Sequence, residues 1–520
     1  MKITRRNLLA RSLAGGTGLY MFRRLSVCEA FAMPTQKRLA EDPRRPQFHL
    51  LPAAHWMNDP NGPIYWHGKY HMFYQYNPYG AYWGDMHWAH AVSPDMVHWT
   101  HLPIALAPTP SGPDAGGCFT GTTVVDAETV TAIYTGVVSV LEDQATIRAG
   151  ANSLRESQCL AFSTDAELKQ WTKLPKPIID APPAGMHVTG FRDPSPWRQR
   201  DWWFMTIGSG FPHQFGAVLL YRSKDLRHWE YLHVLVSGES AERNATCPVN
   251  PGDMWECPEL FPLGDKHVLI FSMQGKTYWK IGDLDVKEML FHPEKEGLLD
   301  YGSYYASKTQ LDASGNRIVW GWILEARPLA EYRAAGWAGM MSLPRVVTLA
   351  RDGGLTLETA PAVRVLRERR QALKISSSEE KNTEQIGKLA IQNCCGEVLC
   401  TFKPGADKCG LSLLGSQPNQ TATETWLTLQ YDPAAQHPIS LDGTAIPVQL
   451  SDPHRVEVNI YIDGSVAEVS VNKQITYTKR FYYRGTDAPT MTLRVLGRTT
   501  NLSSLEMWQL SPISRNRLTT

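Results

Sequence analysis

Ser93-Pro94-Asp95-Met96-Val97-His98-Trp99 has two echoes further along this chain. They are Ser163-Thr164-Asp165-Ala166-Glu167-Leu168-Lys169-Gln170-Trp171 and Ser223-Lys224-Asp225-Leu226-Arg227-His228-Trp229. Each reads Ser-x-Asp, then a short connector ending in tryptophan. Ser and Asp side chains bond backbone amides a few residues on, so the phrase is suited to closing a pair of strands. One copy would suit any β protein. Three copies at spacings of roughly 60–70 residues fit one four-stranded sheet per unit, the repeat of a β-propeller.

Outward from these loops, short apolar and aromatic runs alternate with Gly, Pro, Asp and Asn clusters. The pattern predicts antiparallel strands over Lys69–Tyr76, Gly121–Val125, Thr131–Thr135, Trp202–Ile207, Val218–Tyr221, His267–Met273 and Ile318–Trp322. The character changes near Thr359–Glu380. Pro361–Leu373 reads as a charged helix, and Arg367-Glu368-Arg369-Arg370 as part of a solvated linker. Beyond it, Trp426–Tyr431, Arg455–Ile462, Val466–Val471 and Met491–Val495 alternate like half-buried strands. A chain of 520 residues exceeds what one core supports, so two all-β domains are expected.

Composition narrows the function. With 52 basic and 51 acidic residues the net charge is +1, which offers nucleic acid no electrostatic footprint. The 17 tryptophans exceed ordinary usage, and indole faces stack well on sugars. None of the nine cysteines falls in a pair of Cys-x-x-Cys units, so no structural zinc site is expected. Cys394 to Cys409 lie close enough to pair in an oxidising compartment, and Cys257 reads as buried. No stretch is long and apolar enough for a membrane span.

Three acids stand in unusual company. Asp59 lies in His55-Trp56-Met57-Asn58-Asp59-Pro60-Asn61-Gly62, turn chemistry that delivers a carboxylate to a sheet rim. Asp193 lies in Gly190-Phe191-Arg192-Asp193-Pro194-Ser195-Pro196-Trp197, and Glu256 in Met254-Trp255-Glu256-Cys257-Pro258-Glu259-Leu260. Taken singly, each has a plain structural reading: a turn cap, an ion pair, a buried carboxyl. Three such acids in a tryptophan-rich chain point to a carboxylate site with aromatic walls.

Together with Phe73-Tyr74-Gln75-Tyr76-Asn77-Pro78, Trp83-Gly84-Asp85-Met86-His87-Trp88, Leu299-Asp300-Tyr301-Gly302, Trp320-Gly321-Trp322 and Met341-Ser342-Leu343-Pro344-Arg345, these segments resemble glycoside hydrolase family 32, the invertase, levanase and inulinase group of β-fructosidases. Asp463-Gly464-Ser465-Val466-Ala467-Glu468-Val469 extends the likeness into the C-terminal part. The resemblance implies a five-bladed propeller over about 48–350, a linker over 351–370 and a β-sandwich over about 371–515. It also implies sucrose or β-fructan as substrate, no cofactor and no metal.

By the same resemblance Asp59 is the nucleophile and Glu256 the acid, then the base that activates water. Asp193 is the transition-state stabiliser. Retention of configuration asks the nucleophile and the acid to lie ~5–5.5 Å apart. Trp255, Cys257 and Pro258 are expected to raise the Glu256 pKa by desolvation, and Arg192 to keep Asp193 ionised. Asn58, Gln75, Trp83, Phe119, Thr120, Arg192 and Trp322 are the expected sugar contacts. Thr120 stands where relatives often have serine, which adds a methyl to that subsite. Glu259 is assigned no role. The same residues would serve fructosyl transfer as well as hydrolysis. A carbohydrate-binding propeller would be expected to lack one of the acids, and His55, His87 and His90 show no zinc-hydrolase spacing.

Thr4-Arg5-Arg6-Asn7-Leu8-Leu9 with Ala30-Phe31-Ala32 resembles a Tat export signal over 1–32, followed by a linker over 33–47. A homo-oligomer is compatible with the sequence.

Overall fold

The computed structural model describes residues 34–149, 152–240, 252–372, 391–405, 407–416, 423–452, 454–483, 490–496, 501–515 and 518. The expected export signal and Cys28 lie outside them, as does Cys247. Five antiparallel sheets follow one another between His55 and Thr359. Their innermost strands are His55–Trp66, Gly117–Asp126, Phe191–Gln199, Glu256–Leu263 and Tyr305–Leu311. Each innermost strand touches the next, and the fifth touches the first, so the sheets form a ring around one axis. This is the propeller arrangement. The ring is also tied by chain, since Trp337–Ala338 pairs in parallel with His55-Trp56 of the first sheet.

The repeated Ser-x-Asp phrase sits at the same place in the first three sheets, between their third and fourth strands. Asp95 accepts the amides of Val97 and His98, and Asp225 those of Arg227 and His228. Asp165 does the same for Glu167, Lys169 and Gln170. One residue of each loop takes a left-handed conformation: Met96, Leu168 or Leu226.

Apolar faces of adjacent sheets pack into one cluster per interface. Phe73, Trp88, Cys118 and Tyr134 join the first and second sheets, and Ile133, Phe191, Met205 and Leu219 the second and third. Leu220, Trp255, Leu260 and Phe271 join the third and fourth. Phe261, Ile270, Tyr304 and Val319 then join the fourth and fifth, and Met57, Tyr74 and Trp320 close the ring. Each large side chain buried this way is worth roughly 1.5–3 kcal/mol, so the ring is held by its walls and the axis is left for polar groups.

The second unit is a sandwich of a six-stranded and a five-stranded sheet around a core that includes Val398, Leu413, Leu427, Ile460 and Val469. The expected linker over 351–370 is not one. Leu355–Thr359 is the outer strand of the fifth sheet, and Pro361–Leu366 is a 3-10 turn rather than the expected helix. Arg367–Ala372 is an edge strand of the sandwich. Its charges mimic a linker because exposed edge strands carry charge to discourage further pairing. Arg367 itself pairs with Glu397 and stacks on Trp508. The expected linker over 33–47 likewise contains the helix Gln36–Glu41 and a buried Arg45. Cys400 and Cys409 are buried free thiols, so the pairing open to the 394–409 stretch is not made at either.

Three of the motifs in the resemblance join the two units. Asp463 accepts the amides of Gln47, Phe48 and His49. The His49 ring bridges Asp463 (2.8 Å) and Glu468 (2.9 Å). Arg345 then links Glu468 to Asp300, which also accepts from the Thr478 hydroxyl. Gly302 has to be glycine: a Cβ there would sit 1.9 Å from the Thr478 carbonyl oxygen, where the fifth sheet hydrogen-bonds to the sandwich.

Candidate active site

Every innermost strand breaks register with its neighbour at one matching place near the ring axis, and the first strand shifts a second time between Asn61 and Ile64. At each break two residues face one: Asn58-Asp59, Phe119-Thr120, Asp193-Pro194, Cys257-Pro258 and Ala306-Ser307. Bulges of this kind re-aim side chains. Prolines in Asp59-Pro60, Asp193-Pro194 and Cys257-Pro258 suit them because the ladder is interrupted there. Asp193, Cys257 and Ala306, at matching positions in the third, fourth and fifth sheets, have φ of 64°, 51° and 55°. Positive φ in residues with a Cβ is strained backbone, which the surrounding sheets hold in place.

The five breaks stack the site in layers, and its contacts join matching positions of adjacent sheets. Just before the break lie Arg192, Glu256 and Tyr305. The Arg192 guanidinium donates to Glu256 Oε1 from Nη2 (2.8 Å) and Nε (3.2 Å), and the Tyr305 hydroxyl donates to Glu256 Oε2. In the first bulge position the Cys257 amide donates to Asp193 Oδ2 (2.9 Å). In the second, the Thr120 hydroxyl donates to Asp59 Oδ2 (2.7 Å), while Asn58 Nδ2 donates to Asp59 Oδ1 (3.0 Å). The Cys257 thiol lies between the two aspartates, 3.6 Å from Asp59 Oδ2 and 3.5 Å from Asp193 Oδ2. Asp59, Asp193 and Glu256 therefore converge, although they are far apart in sequence.

Burial raises the Asp59 pKa, the hydrogen bonds from Thr120 and Asn58 oppose it, and the charge of Glu256 adds to it. Asp193 is pushed up to about 7, chiefly by burial and with help from the charges of Glu256 and Asp59, while Arg192 works against the rise. Arg192 makes its bonds elsewhere, to Glu256 and to the fully buried Glu156 (3.0 Å), so it acts on Asp193 by charge alone. Nor is Glu256 in the apolar setting expected for it. Trp255 turns away and stacks on Phe271, Cys257 faces the aspartates, and the Glu256 carboxylate is gripped by a cation and a phenol.

The other expected sugar contacts divide into wall and support. Trp83, 37% exposed, meets Phe119 edge to face, and Trp322 meets Trp56 and Tyr305 in the same way. The Trp322 indole N–H is buried without a partner, as suits a group awaiting a ligand. Asn58 and Gln75 are already engaged: Asn58 accepts from Trp56 Nε1 (2.7 Å), and Gln75 donates to the Cys118 carbonyl (3.0 Å). Sequence reading missed Tyr305, Glu156 and Thr135, whose hydroxyl receives the Asp193 amide. Tyr305 had one signal, its place three residues after the Leu299–Gly302 motif.

Comparison with known proteins bears on the same surface. Residues 49–361 match the profile of the glycosyl hydrolases family 32 N-terminal domain, and residues 363–509 that of the family's C-terminal domain. A sucrose-6-phosphate hydrolase of Escherichia coli is 35% identical over 451 residues, 82% of this chain and 87% of the relative. A raffinose invertase of Escherichia coli is 34% identical over 491 residues, 90% of this chain and 95% of the relative. The solved structure of a β-fructofuranosidase from Bombyx mori aligns with a TM-score of 0.70 at 28% identity, covering 92% of this chain and 96% of that one.

Proposed function

The chain belongs to glycosyl hydrolases family 32, and from that premise we propose that it releases terminal β-fructosyl units from sucrose or fructans through a fructosyl-enzyme intermediate. The observation that carries the reading is the convergence of three acids with different surroundings on one axis. Asp59, half-buried and held by two neutral donors, has the oriented oxygens of a nucleophile. Glu256 is the proton donor to the departing oxygen, then the base for water. Arg192 and Tyr305 fix its carboxyl plane while it changes role. Asp193 faces the sugar hydroxyls and strengthens its bonds to them as positive charge develops on the ring. Trp83, Phe119 and Trp322 wall the pocket and exclude water. Thr120 acts through Asp59, and Asn58 and Gln75 shape the floor.

Hydrolysis of sucrose is the first expectation and of levan or inulin ends the second. An export signal at 1–32 would place the enzyme outside the cytosol, where unphosphorylated sugars are met. The test incubates purified protein with sucrose, sucrose 6-phosphate, raffinose, inulin and levan and resolves the products. Free fructose from the unphosphorylated sugars supports the reading. Growth of kestose-type oligosaccharides would replace hydrolysis with transfer. No cleavage of any of the five would leave a carbohydrate-binding protein.

A further inference from the structure

Below the three acids, the axis holds a cation that the mechanism above does not use. Lys308 is fully buried on the innermost strand of the fifth sheet, directly after that strand's register break. The same position carries Pro60, Gly121, Ser195 and Glu259 in the other four sheets. Its side chain does not stay in its own sheet or a neighbouring one. Its ammonium donates to the Thr122 hydroxyl of the second sheet (3.0 Å), so it crosses the axis beneath the site. Thr122 lies two residues beyond Thr120, whose hydroxyl holds Asp59. Among the described residues no carboxylate makes a direct ion pair with Lys308, whose ammonium bonds the Thr122 hydroxyl. Glu259 instead accepts the Thr309 amide (2.6 Å).

We propose that Lys308 is a positioning residue, the buried counter-charge that lets Asp193 stay ionised beside Asp59 and Glu256. The inference rests on the catalytic reading above and concerns how that site is kept charged. Asp193 feels Asp59 from the first sheet, Arg192 from its own, Glu256 and Cys257 from the fourth and Lys308 from the fifth. Tyr305 bonds Glu256, Glu156 holds Arg192, and Arg317 and Lys308 both act on Glu259. Arg192 bonds Glu156 and Glu256 and acts on Asp193 by charge; Lys308 adds a second, smaller pull on Asp193 and acts with Arg317 on Glu259, bonding neither acid. Like charges confined in a buried site favour protonation unless a cation opposes it. Lys308 works in that sense on Asp193, whose pKa burial has already raised.

The test compares Lys308→Met with the parent by kcat/KM against pH on sucrose. Without the cation Asp193 holds its proton to higher pH, so the acid limb should move up and activity near pH 5 should fall about tenfold more than activity near pH 8. Lys308→Arg should restore much of the profile. An equal loss at all pH values, or a superimposable profile, overturns the proposal. Thr122→Val keeps the charge but frees its tether, and should move the limb in the same direction by less. Should Lys308→Met not fold, an unmoved limb in Thr122→Val overturns the proposal. If the parent cleaves none of the sugars, the catalytic reading fails separately, and the melting temperature decides for Lys308. The melting-temperature deficit of Lys308→Met should widen as pH rises and Asp193 ionises, and a deficit independent of pH contradicts the counter-charge.

Discussion

A single carboxylate illustrates how far residue type alone carries the chemistry. Glu256 stood out as a candidate acid from its Trp-Glu-Cys-Pro setting, which led to the expectation of an apolar environment. Adjacent residues in a bulged strand point to different places, so sequence neighbours are poor guides to side-chain neighbours. The groups that touch Glu256 are Arg192 and Tyr305, 64 and 49 residues away. A hydrogen bond to a charged group is worth about 1.5–3 kcal/mol. Tyr305→Phe should therefore lower kcat by roughly tenfold or more, with the melting temperature little changed, because the ring stays in place. Steady-state kinetics on sucrose checks this, and an unchanged kcat would mean that the phenol does not steady the acid.

At the level of elements, the five breaks in register matter more than the strands that contain them. Strand existence was readable from alternating apolar runs, and the three Ser-x-Asp loops gave away the repeat because their bonding is local. The breaks were not readable, because they depend on which residue of the second strand each bulge faces. Trp320-Gly321-Trp322 shows the cost of tampering. Gly321 faces the Ala306-Ser307 bulge, and a Cβ there would lie 2.2 Å from the Tyr304 ring. Gly321→Ala is expected to destabilise the protein by roughly 1–3 kcal/mol through overpacking and to displace Tyr305 with its neighbour. Denaturant unfolding should show the loss of stability, together with a drop in kcat. Parent-like stability would mean that the fifth sheet yields where it is taken to be rigid. The Arg367–Ala372 strand teaches the converse, since its exposed charges concealed a regular element.

Across the whole molecule, the motifs divide between chemistry and assembly. Asp300, Arg345, Asp463 and Glu468 stood out in sequence beside the site acids, yet they bind the propeller to the sandwich. Sequence could not separate the two uses, since both need buried charge. His49 sits at the centre of that junction. Burial disfavours its charged form, but hydrogen bonds and charges from Asp463 and Glu468 overcome this and push its pKa up to about 9. A raised histidine pKa contributes stability that is complete below the unfolded value, near 6.5, and fades as pH rises through about 9. The junction should thus lose about 2 kcal/mol between neutral pH and pH 9.5. His49→Gln should be less stable at pH 6 and nearly flat over the same range. Melting temperatures across pH test this, and a variant as pH-dependent as the parent would move the effect elsewhere.

The proposed mechanism depends first on Asp59 as the covalent nucleophile. Glu256→Gln, treated with an activated β-fructosyl donor whose leaving group needs no acid, should form the intermediate and lack the base to hydrolyse it. Mass spectrometry of the digested protein should then find one fructosyl group on the peptide that contains Asp59. A fructosyl group on any other residue, or turnover that releases the inverted anomer with no adduct at all, would contradict the mechanism.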